Sequence, residues 1–264
     1  RGGHIAFFLD HLQGGGIQKV WVTIAEALID RGYAVDLVVC ETEGPLQAQI
    51  PEQVSVVELR RSSRLQAGAQ YLAADPGGLA PWLGLVLVAT RASATQPYFP
   101  GLVEYLRRAR PRALYSATPH MNIEAEHALK LAKTPTRLIV SEHNTLVPDH
   151  PLARGLNKWY LPRLLRRAYR SADTVVAVSR GVAEDVSRRT GMPLSAITLI
   201  YNPVVTPMLA RGAAEALSHP WFEADAPPVI LGAGRLGQAK DFPTLIRAFA
   251  RVRQKRPARL MILG

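Results

Sequence analysis

The chain has 264 residues, 48% of them hydrophobic, which suffices for one large or two modest domains with a buried core. Its 32 Lys and Arg residues exceed its 21 Asp and Glu residues, giving a net charge of +11 and a pI near 10.2. The single cysteine, Cys40, excludes an intramolecular disulfide and a cysteine cluster for zinc, and it favours a reducing cytoplasm.

The sequence contains no apolar run long enough to span a bilayer. The most apolar stretch, residues 79–89, is too short and contains a proline and a glycine. The first residues lack a signal-peptide pattern, and the chain does not begin with Met, so we expect a trimmed chain.

The first two hundred residues alternate between short apolar runs and helical patterns. Near-continuous apolar strands are typical of a parallel sheet covered by helices on both faces. In the first helix, Ile17, Val20, Ile24 and Leu28 fall on one face, and Gly32 is a good stop signal. This pattern predicts a doubly wound α/β domain, with strands over residues 4–9, 34–39, 54–59, 112–116, 136–141, 173–178 and 197–200.

Prolines punctuate the chain from about Pro203 to Pro228, where periodicity is weak, and this pattern predicts a linker. A strand from Val229, a helix from Phe242 and a strand from Leu260 then predict one βαβ unit. One such unit cannot bury both faces of its strands. We therefore predict a Rossmann-like domain over residues 1–205, a linker over 206–227, and the incomplete start of a second Rossmann-like domain over 228–264.

The glycine run Gly14, Gly15 and Gly16 lies between the first strand and the first helix. Glycines there let a ligand approach the backbone, and a helix N-terminus offers N–H groups to an anion. The run completes neither the dinucleotide fingerprint nor a Walker A motif, so a tight strand-to-helix turn explains it equally well.

Polar residues follow three predicted strands, at the edge where doubly wound folds bind ligands. For the asparagines among them, and for Ser179, helix or turn capping is the structural alternative. No histidine or carboxylate spacing suggests a metal site, and we expect none. The candidates are Asp10, His11, His120, Asn122, Glu142, His143 and Asn144.

Two cations, Arg235 and Lys240, lie on the loop between the strand at Val229 and the helix at Phe242. A forked guanidinium and a compact ammonium beside a helix N-terminus suit a diphosphate. An ordinary surface loop is the alternative.

Much of the excess positive charge lies in short arginine groups, which favour anionic surfaces and phosphates. Aromatic residues are sparse and no RRM, KH or zinc-finger pattern is present, so we expect no nucleic-acid partner. Solvated helix faces in an arginine-rich proteome account for part of the excess, and an anionic cytoplasmic membrane surface or phosphorylated substrates for the remainder. The groups are Arg60, Arg61 and Arg64; Arg107, Arg108, Arg110 and Arg112; Arg163, Arg166, Arg167 and Arg170; and Arg251, Arg253, Lys255 and Arg256.

The segments 232–249 and 259–264 resemble the start of the C-terminal domain of retaining glycosyltransferases of family 4, whose pattern runs G-R-L-x(3–4)-K-[GD]-x-x-x-L-I-x-A-F…L-x-I-x-G. The Gly14 to Val20 segment, Ser-Glu-His-Asn-Thr from Ser141, and Tyr-Asn-Pro-Val from Tyr201 match further landmarks in order. The resemblance is weakest between residues 62 and 98. The most similar patterns belong to enzymes that extend lipopolysaccharide cores, capsules or other lipid-linked glycans.

The resemblance implies a GT-B enzyme with its active site between two Rossmann-like domains. Arg235 and Lys240 match the pair that binds the donor diphosphate and stabilises the leaving nucleoside diphosphate, with no metal required. Gly15 and Gly16 match the loop near the donor phosphates and the acceptor. The implied partners are a nucleotide sugar, a lipid-linked or lipopolysaccharide acceptor, and the inner face of the cytoplasmic membrane, where the protein would be peripheral.

Three departures from the family pattern accompany the resemblance. Gln18 stands where the family has a glutamate after the glycines. The family histidine aligns with Ala117, so His120, three residues later, becomes the candidate for its catalytic or substrate-contacting role. The E-x7-E segment that binds the donor lies beyond Gly264, so we expect this fragment alone to be inactive.

Other functions remain open on the sequence. A GT-B sugar-nucleotide epimerase is the first alternative, since it would share the donor site without an acceptor. A truncated GT-B module that binds without catalysis is the second. An NAD-linked dehydrogenase is disfavoured because the dinucleotide fingerprint is incomplete.

Overall fold

The computed structural model describes residues 2–74, 94–146, 157–223 and 225–264. The apolar stretch 79–89 lies outside these residues. The chain divides into two compact units, Arg1–Val204 and Val205–Gly264.

The larger unit is built on a seven-stranded sheet among the described residues, with strand order β3-β2-β1-β4-β5-β6-β7 and every pairing parallel. The predicted strands are confirmed, and the sheet order reverses direction at the β1–β4 pair, as in a doubly wound fold. The strands are β1 His4–His11, β2 Ala34–Glu41, β3 Ser55–Glu58, β4 Ala113–Ala117, β5 Arg137–Glu142, β6 Thr174–Ala177 and β7 Ile197–Leu199.

Helices connect these strands and pack on the sheet. One buried cluster contains Phe7 of β1 and Trp21 of the first helix, and a second contains Phe8 of β1, Leu102 and Tyr169. Because Phe7 and Phe8 are consecutive on one strand, their side chains point to opposite faces, so the sheet has a core on each side. The helices are α1 Gly16–Ile29, α2 Arg64–Ala74, α3 Phe99–Ala109, α4 Pro119–Ala132, α5 Asn157–Ser171 and α6 Arg180–Thr190.

An aromatic cluster joins α1 to the sheet. Trp21 is fully buried, and its ring lies 5.3 Å from the Phe7 ring and 5.2 Å from the Tyr115 ring, measured between centroids. The edge-on arrangement of Trp21 and Tyr115 is a favourable aromatic geometry. The turn after α1 contains Gly32 with φ of +80°, a conformation that favours glycine, which agrees with the predicted stop.

The smaller unit contains two parallel strands with a helix between them. β8 Val229–Ala233 pairs in register with β9 Arg259–Leu263, and α8 Phe242–Arg253 connects them, as the sequence predicts. The segment predicted as a linker contains a further helix, α7 Pro207–Ala213, and it falls within this smaller unit. Thr206 caps α7 by accepting a hydrogen bond from the Leu209 amide.

We predict that Trp21→Ala lowers the free energy of unfolding by about 3–5 kcal/mol, because it removes a fully buried aromatic side chain and leaves a cavity. Urea unfolding followed by circular dichroism measures this. Glu26→Ala, an exposed change on the same helix, serves as the control and should cost less than about 0.5 kcal/mol. Equal losses in the two variants would contradict the role of the aromatic cluster.

Candidate functional site

The candidate residues of the larger unit lie at or after the carboxyl ends of β1, β4 and β5, which are consecutive in the sheet order. Adjacent parallel strands end at the same edge, about 4.8 Å apart. The structure therefore brings the strand-end residues of three distant segments to one carboxyl edge, as the sequence predicts.

At the end of β1, Asp10 and Gln18 hold the glycine turn. Asp10 Oδ1 accepts hydrogen bonds from the His11 amide at 2.9 Å and from Gln18 Nε2 at 3.4 Å. The Gln18 side chain folds back so that its Oε1 lies where a Cβ of residue 15 would stand. A side chain at position 15 would therefore displace the Gln18 amide from Asp10.

The N-terminus of α1 lacks a side-chain cap. Its N-cap residue is Gly15, which has no side chain to accept from the first amides, and Gly16 begins the helix. Gly14 has φ of +87°, which a glycine adopts without strain. These features are compatible with anion binding and with a tight turn alike.

His120 lies on the first turn of α4, directly after β4. Its Nδ1 lies 3.3 Å from the Thr118 hydroxyl. Thr118 is the N-cap of α4 and has φ of +74°, a conformation that is costly for a β-branched residue. Strained backbone of this kind is often found at functional sites, and here it lies two residues before His120.

Asn122 and Glu142 are buried in a hydrogen-bonded network, and neither side chain is open to a ligand in this conformation. Asn122 Nδ2 donates to Glu142 Oε1 at 3.0 Å, and Asn122 Oδ1 accepts from the Ser116 hydroxyl at 2.7 Å. The Tyr169 hydroxyl of α5 also donates to Glu142 Oε1. The three residues Asn122, Glu142 and Tyr169 are 0–2% exposed. Asn122 therefore joins strands to helices and does not cap a helix.

Burial raises the pKa of Glu142 to about 8, with a smaller contribution from the charge of Asp185, although hydrogen bonds from Tyr169 and Asn122 oppose the shift. Burial lowers the pKa of His143 to about 4. Near neutral pH both side chains are mainly uncharged. His143 Nε2 lies 3.2 Å from the Ser141 hydroxyl, and the neighbouring Asn144 is exposed.

The sequence reasoning missed Tyr169 and Asp185. Tyr169 falls at an apolar position of an amphipathic helix, where a tyrosine is indistinguishable from an ordinary core residue. Asp185 lies on α6 within the pattern Glu184-Asp185, which is typical of a solvated face, yet its side chain is 2% exposed. The sequence does contain one indication that Asp185 forms ion pairs: Arg188 and Arg189 lie three and four residues later, and such spacing allows ion pairs on a helix.

In the smaller unit, Arg235 and Lys240 lie on the loop between β8 and α8. Both side chains are exposed, and among the described residues neither makes a hydrogen bond or an ion pair through its side chain. Gly234 has φ of +149°, and a Cβ there would lie 3.2 Å from Lys240 Cε. The Lys240 stem therefore runs back along Gly234, next to Arg235.

Asp241 caps α8 through its Oδ1, which accepts from the Thr244 amide at 3.4 Å, and Pro243 occupies the first turn. A carboxylate already occupies this helix N-terminus. An anion on this loop would therefore bind through the two cations, and the helix end would contribute little.

Some of the arginines of the larger unit lie at opposite edges of its sheet. Arg107 and Arg108 lie in the last turn of α3, and Arg188 and Arg189 in the last turn of α6. A helix that leads into a parallel strand ends at that strand's amino edge, and its C-terminal dipole favours cations there. The exposed Arg60, Arg61 and Arg64 instead follow the carboxyl end of β3.

Neither a membrane span nor a metal cluster is found in the described ranges. No helix within residues 2–74, 94–146, 157–223 and 225–264 is long and apolar enough to cross a bilayer. In the same part of the chain, no group of three or more His, Cys, Asp or Glu side chains is placed to hold a metal ion.

A family model described as Glycosyltransferase Family 4 matches residues 14–206, which is most of the chain. A search of curated proteins gave no match. The matched range covers the glycine turn, the ends of β4 and β5 and most of the larger unit, and it begins after β1 with Asp10 and His11.

Three solved structures illustrate the similarity in fold. HepE from Anabaena, in complex with UDP-glucose, is 14% identical with a TM-score of 0.57, over 99% of this chain and 69% of that one. The lipopolysaccharide outer core galactosyltransferase WaaB is 16% identical with a TM-score of 0.57, over 98% and 59%. Sucrose-phosphate synthase from Thermosynechococcus elongatus is 16% identical with a TM-score of 0.62, over 100% and 62%.

These likenesses show the GT-B fold, since the identities are too low to transfer a substrate. The fold class is α/β with Rossmann-like units, as predicted. This chain spans 59–69% of the length of the three structures.

We predict that Glu142→Gln removes part of the pH dependence of stability. The folded wild type keeps the Glu142 proton up to about pH 8, whereas the unfolded chain releases it near pH 4.5, so wild-type stability falls as pH rises between these values. As pH rises through that window, the free energy of unfolding of the variant should increase relative to that of the wild type by at most about 1.4 kcal/mol per pH unit. Urea unfolding at four pH values from 5 to 8 measures the difference. Parallel curves for the two proteins would contradict the assignment.

Proposed function

The chain belongs to glycosyltransferase family 4, and on that premise we propose that the intact protein transfers a sugar from a nucleotide-sugar donor to an acceptor hydroxyl, with retention of anomeric configuration. We propose a lipid-linked or lipopolysaccharide glycan as the acceptor. The similarity to HepE, whose structure contains UDP-glucose, supports a nucleotide-sugar donor, and the similarity to the lipopolysaccharide galactosyltransferase WaaB supports this acceptor.

The observation that carries the proposal is the pair Arg235 and Lys240. In sugar transfer, the bond between the anomeric carbon and the phosphate oxygen breaks, and the nucleoside diphosphate leaves with the electron pair. Negative charge therefore grows on the diphosphate. Two exposed cations on one glycine-containing loop, without an ion-pair partner among the described residues, suit that charge and stabilise it most in the transition state.

On the acceptor side, we assign His120 as the residue that contacts a reacting or neighbouring sugar hydroxyl. The strained Thr118 backbone and the Thr118 hydroxyl fix its ring at the carboxyl edge. Asp10 and His11, at the end of the adjacent strand, are assigned to further acceptor hydroxyls. Both side chains are half-exposed, and His11 Nε2 lies 3.4 Å from Asp10 Oδ2, so the two polar groups face the same place. Gly16, which has open space where a side chain would stand, is assigned to the donor phosphates at the uncapped start of α1, with Gly15 as the N-cap residue beside it.

We predict that Arg235→Ala or Lys240→Ala in the full-length protein lowers kcat at least ~100-fold, because each removes a cation that stabilises the leaving group. Radiolabelled sugar transfer to a glycan acceptor measures turnover. Arg251→Ala, which removes an exposed cation from the last turn of α8, is the matched control and should leave turnover unchanged. Near-normal turnover in both site variants would refute the diphosphate assignment.

The same assay tests the reaction class and the metal independence. With Arg235 and Lys240 neutralising the diphosphate, transfer should persist in the presence of a strong chelator of divalent cations. Conversion of the nucleotide sugar to its epimer without any acceptor would indicate the epimerase alternative instead.

We further propose that the protein works as a peripheral protein on the cytoplasmic face of the membrane, and that α2 is the contact. The α2 outer face, Leu65, Ala69, Leu72 and Ala73, forms an exposed apolar stripe at positions i, i+4, i+7 and i+8. Leu65 is 80% exposed and Leu72 is 41% exposed, while Tyr71 on the opposite side of the helix is 1% exposed. An apolar helix face beside cations is typical of proteins that lie on anionic lipid.

Arg60, Arg61 and Arg64 supply those cations, directly before and at the start of α2, and all three are exposed. They follow the carboxyl end of β3, the edge that also carries the candidate acceptor residues. Binding through this region would present that edge towards a membrane-bound acceptor, whereas binding through the arginines at the helix C-termini would turn it away.

We predict that the triple variant Arg60→Gln, Arg61→Gln and Arg64→Gln binds vesicles of phosphatidylcholine and phosphatidylglycerol ~100-fold more weakly at low salt, because each arginine contributes about 1 kcal/mol. Co-sedimentation measures binding. The triple variant Arg251→Gln, Arg253→Gln and Arg256→Gln has the same charge change and should bind like wild type.

Leu65→Ser combined with Leu72→Ser should weaken binding at both low and high salt, because salt screens charge but not apolar contact. Equal losses in the two arginine variants would show that total charge, and not α2, drives binding. Absence of wild-type binding at low salt would refute the membrane proposal.

A further inference from the structure

The segment of residues 142–146 begins at the last residue of β5, and both of its ends are held by buried carboxyl groups. Between the ends lie His143, which is half-buried, and Asn144, which is exposed. The carboxyl groups belong to Glu142 and to Asp185 of α6, and each is 2% exposed. A surface loop does not need two buried carboxyl groups, and burying them is costly unless they are well bonded.

Glu142 fixes the first end to two helices and a strand. Its Oε1 accepts from Asn122 of α4 and from Tyr169 of α5, and its backbone carbonyl accepts from the Val178 amide at 3.2 Å, just after β6. Asn122 in turn bonds to Ser116 of β4. The position of residue 142 is therefore set by four neighbouring elements.

Asp185 fixes the second end. Its Oδ2 accepts from the Leu146 amide at 2.7 Å, and Leu146 is itself part of the larger buried cluster. Arg188 and Arg189 donate to Asp185 Oδ1 at 2.8 Å and 3.0 Å, so the carboxylate bridges its own helix to the backbone of the segment. This is a contact between residues 39 positions apart in the chain.

The two carboxyl groups are in different charge states near neutral pH. Burial raises the pKa of Glu142, and the nearby charge of Asp185 adds to the rise. Burial also acts to raise the pKa of Asp185, but hydrogen bonds from Arg188, the Leu146 amide and Arg189 outweigh it, and the pKa lies below its ordinary value. Glu142 thus acts through shape and hydrogen bonding, and Asp185 through its charge.

We propose that Glu142 and Asp185 are positioning residues that hold the 142–146 segment at both ends and thereby present His143 and Asn144 to the acceptor. This inference rests on the proposed transfer to a glycan hydroxyl. Neither carboxyl group touches a substrate, and each acts through the segment between them. Because a displacement of about 1 Å costs up to about 100-fold in rate, fixing such a segment has a measurable effect on turnover.

The first test compares variants at Glu142 in the full-length enzyme. Glu142→Gln keeps the shape and the acceptor oxygen, so kcat should stay within about threefold of wild type. Glu142→Ala removes the bonds to Asn122 and Tyr169, so kcat should fall about 10- to 100-fold and KM for the acceptor should rise. KM for the nucleotide sugar should remain unchanged, since the donor diphosphate is assigned to Arg235 and Lys240.

Asp185→Ala should lower kcat as much as Glu142→Ala does. The kcat of Asp185→Asn should fall between those of Asp185→Ala and the wild type, because asparagine keeps an acceptor for the Leu146 amide. Glu184→Gln is the matched control, since Glu184 is the neighbouring carboxylate, is half-exposed and pairs only with Arg180 among the described residues. It should leave kcat and both KM values unchanged.

The second measurement does not need turnover. Hydrogen exchange of the Leu146 amide should be faster in Glu142→Ala and Asp185→Ala, and as slow as wild type in Glu142→Gln and Glu184→Gln. If the wild type shows no transfer, the proposed function fails, and with it the acceptor role. The exchange result then still decides whether the two carboxyl groups hold the segment.

Two outcomes would overturn the inference in an active enzyme. If Glu142→Gln loses as much kcat as Glu142→Ala, the ionisable carboxyl itself is required, and Glu142 acts in catalysis. If Glu142→Ala and Asp185→Ala keep normal turnover and slow exchange, the segment is held without them. Should Glu142→Ala fail to fold, Asp185→Asn and Glu142→Gln decide the question by the same two readouts.

Discussion

The parallel register of β1, β4 and β5 is the constraint on which the larger unit depends. Parallel strands must all end at one edge, so residues that are far apart in the chain, Asp10, His120 and His143, arrive at the same border of the sheet. The cores on the two faces then fix the strands in place. The Trp21 cluster holds one face, and the helices that contribute Leu102 and Tyr169 hold the other.

Charge is distributed differently at the two candidate regions. At the carboxyl edge of the larger unit, burial keeps Glu142 and His143 mainly uncharged near neutral pH. On the β8–α8 loop of the smaller unit, Arg235 and Lys240 are exposed cations. This difference suits the proposed reaction, because the leaving diphosphate gains negative charge, whereas the acceptor hydroxyl is uncharged and must be positioned.

Two sets of arginines in the larger unit contribute to the net charge of +11 for different structural reasons that composition alone does not separate. Arginines in the last turns of helices, such as Arg107 and Arg188, complement the helix dipole and lie at the amino edge of the sheet. Arg60, Arg61 and Arg64 have no such explanation, and they lie beside an exposed apolar stripe on α2. Only the second group favours a specific partner, and the proposed partner is an anionic membrane surface.

The sequence by itself determined the α/β fold, the strands, the limits of α1 and α8, and the Ser179 cap, whose hydroxyl accepts from the Val182 amide. These features depend on local periodicity, glycine and proline chemistry, and capping, all of which are written in neighbouring residues. Only the tertiary structure decided that Asn122 and Glu142 are buried together, and that Tyr169 and Asp185 complete their surroundings. Such contacts join residues 20 to 47 positions apart, and no local pattern encodes which side chains meet across packed helices and strands.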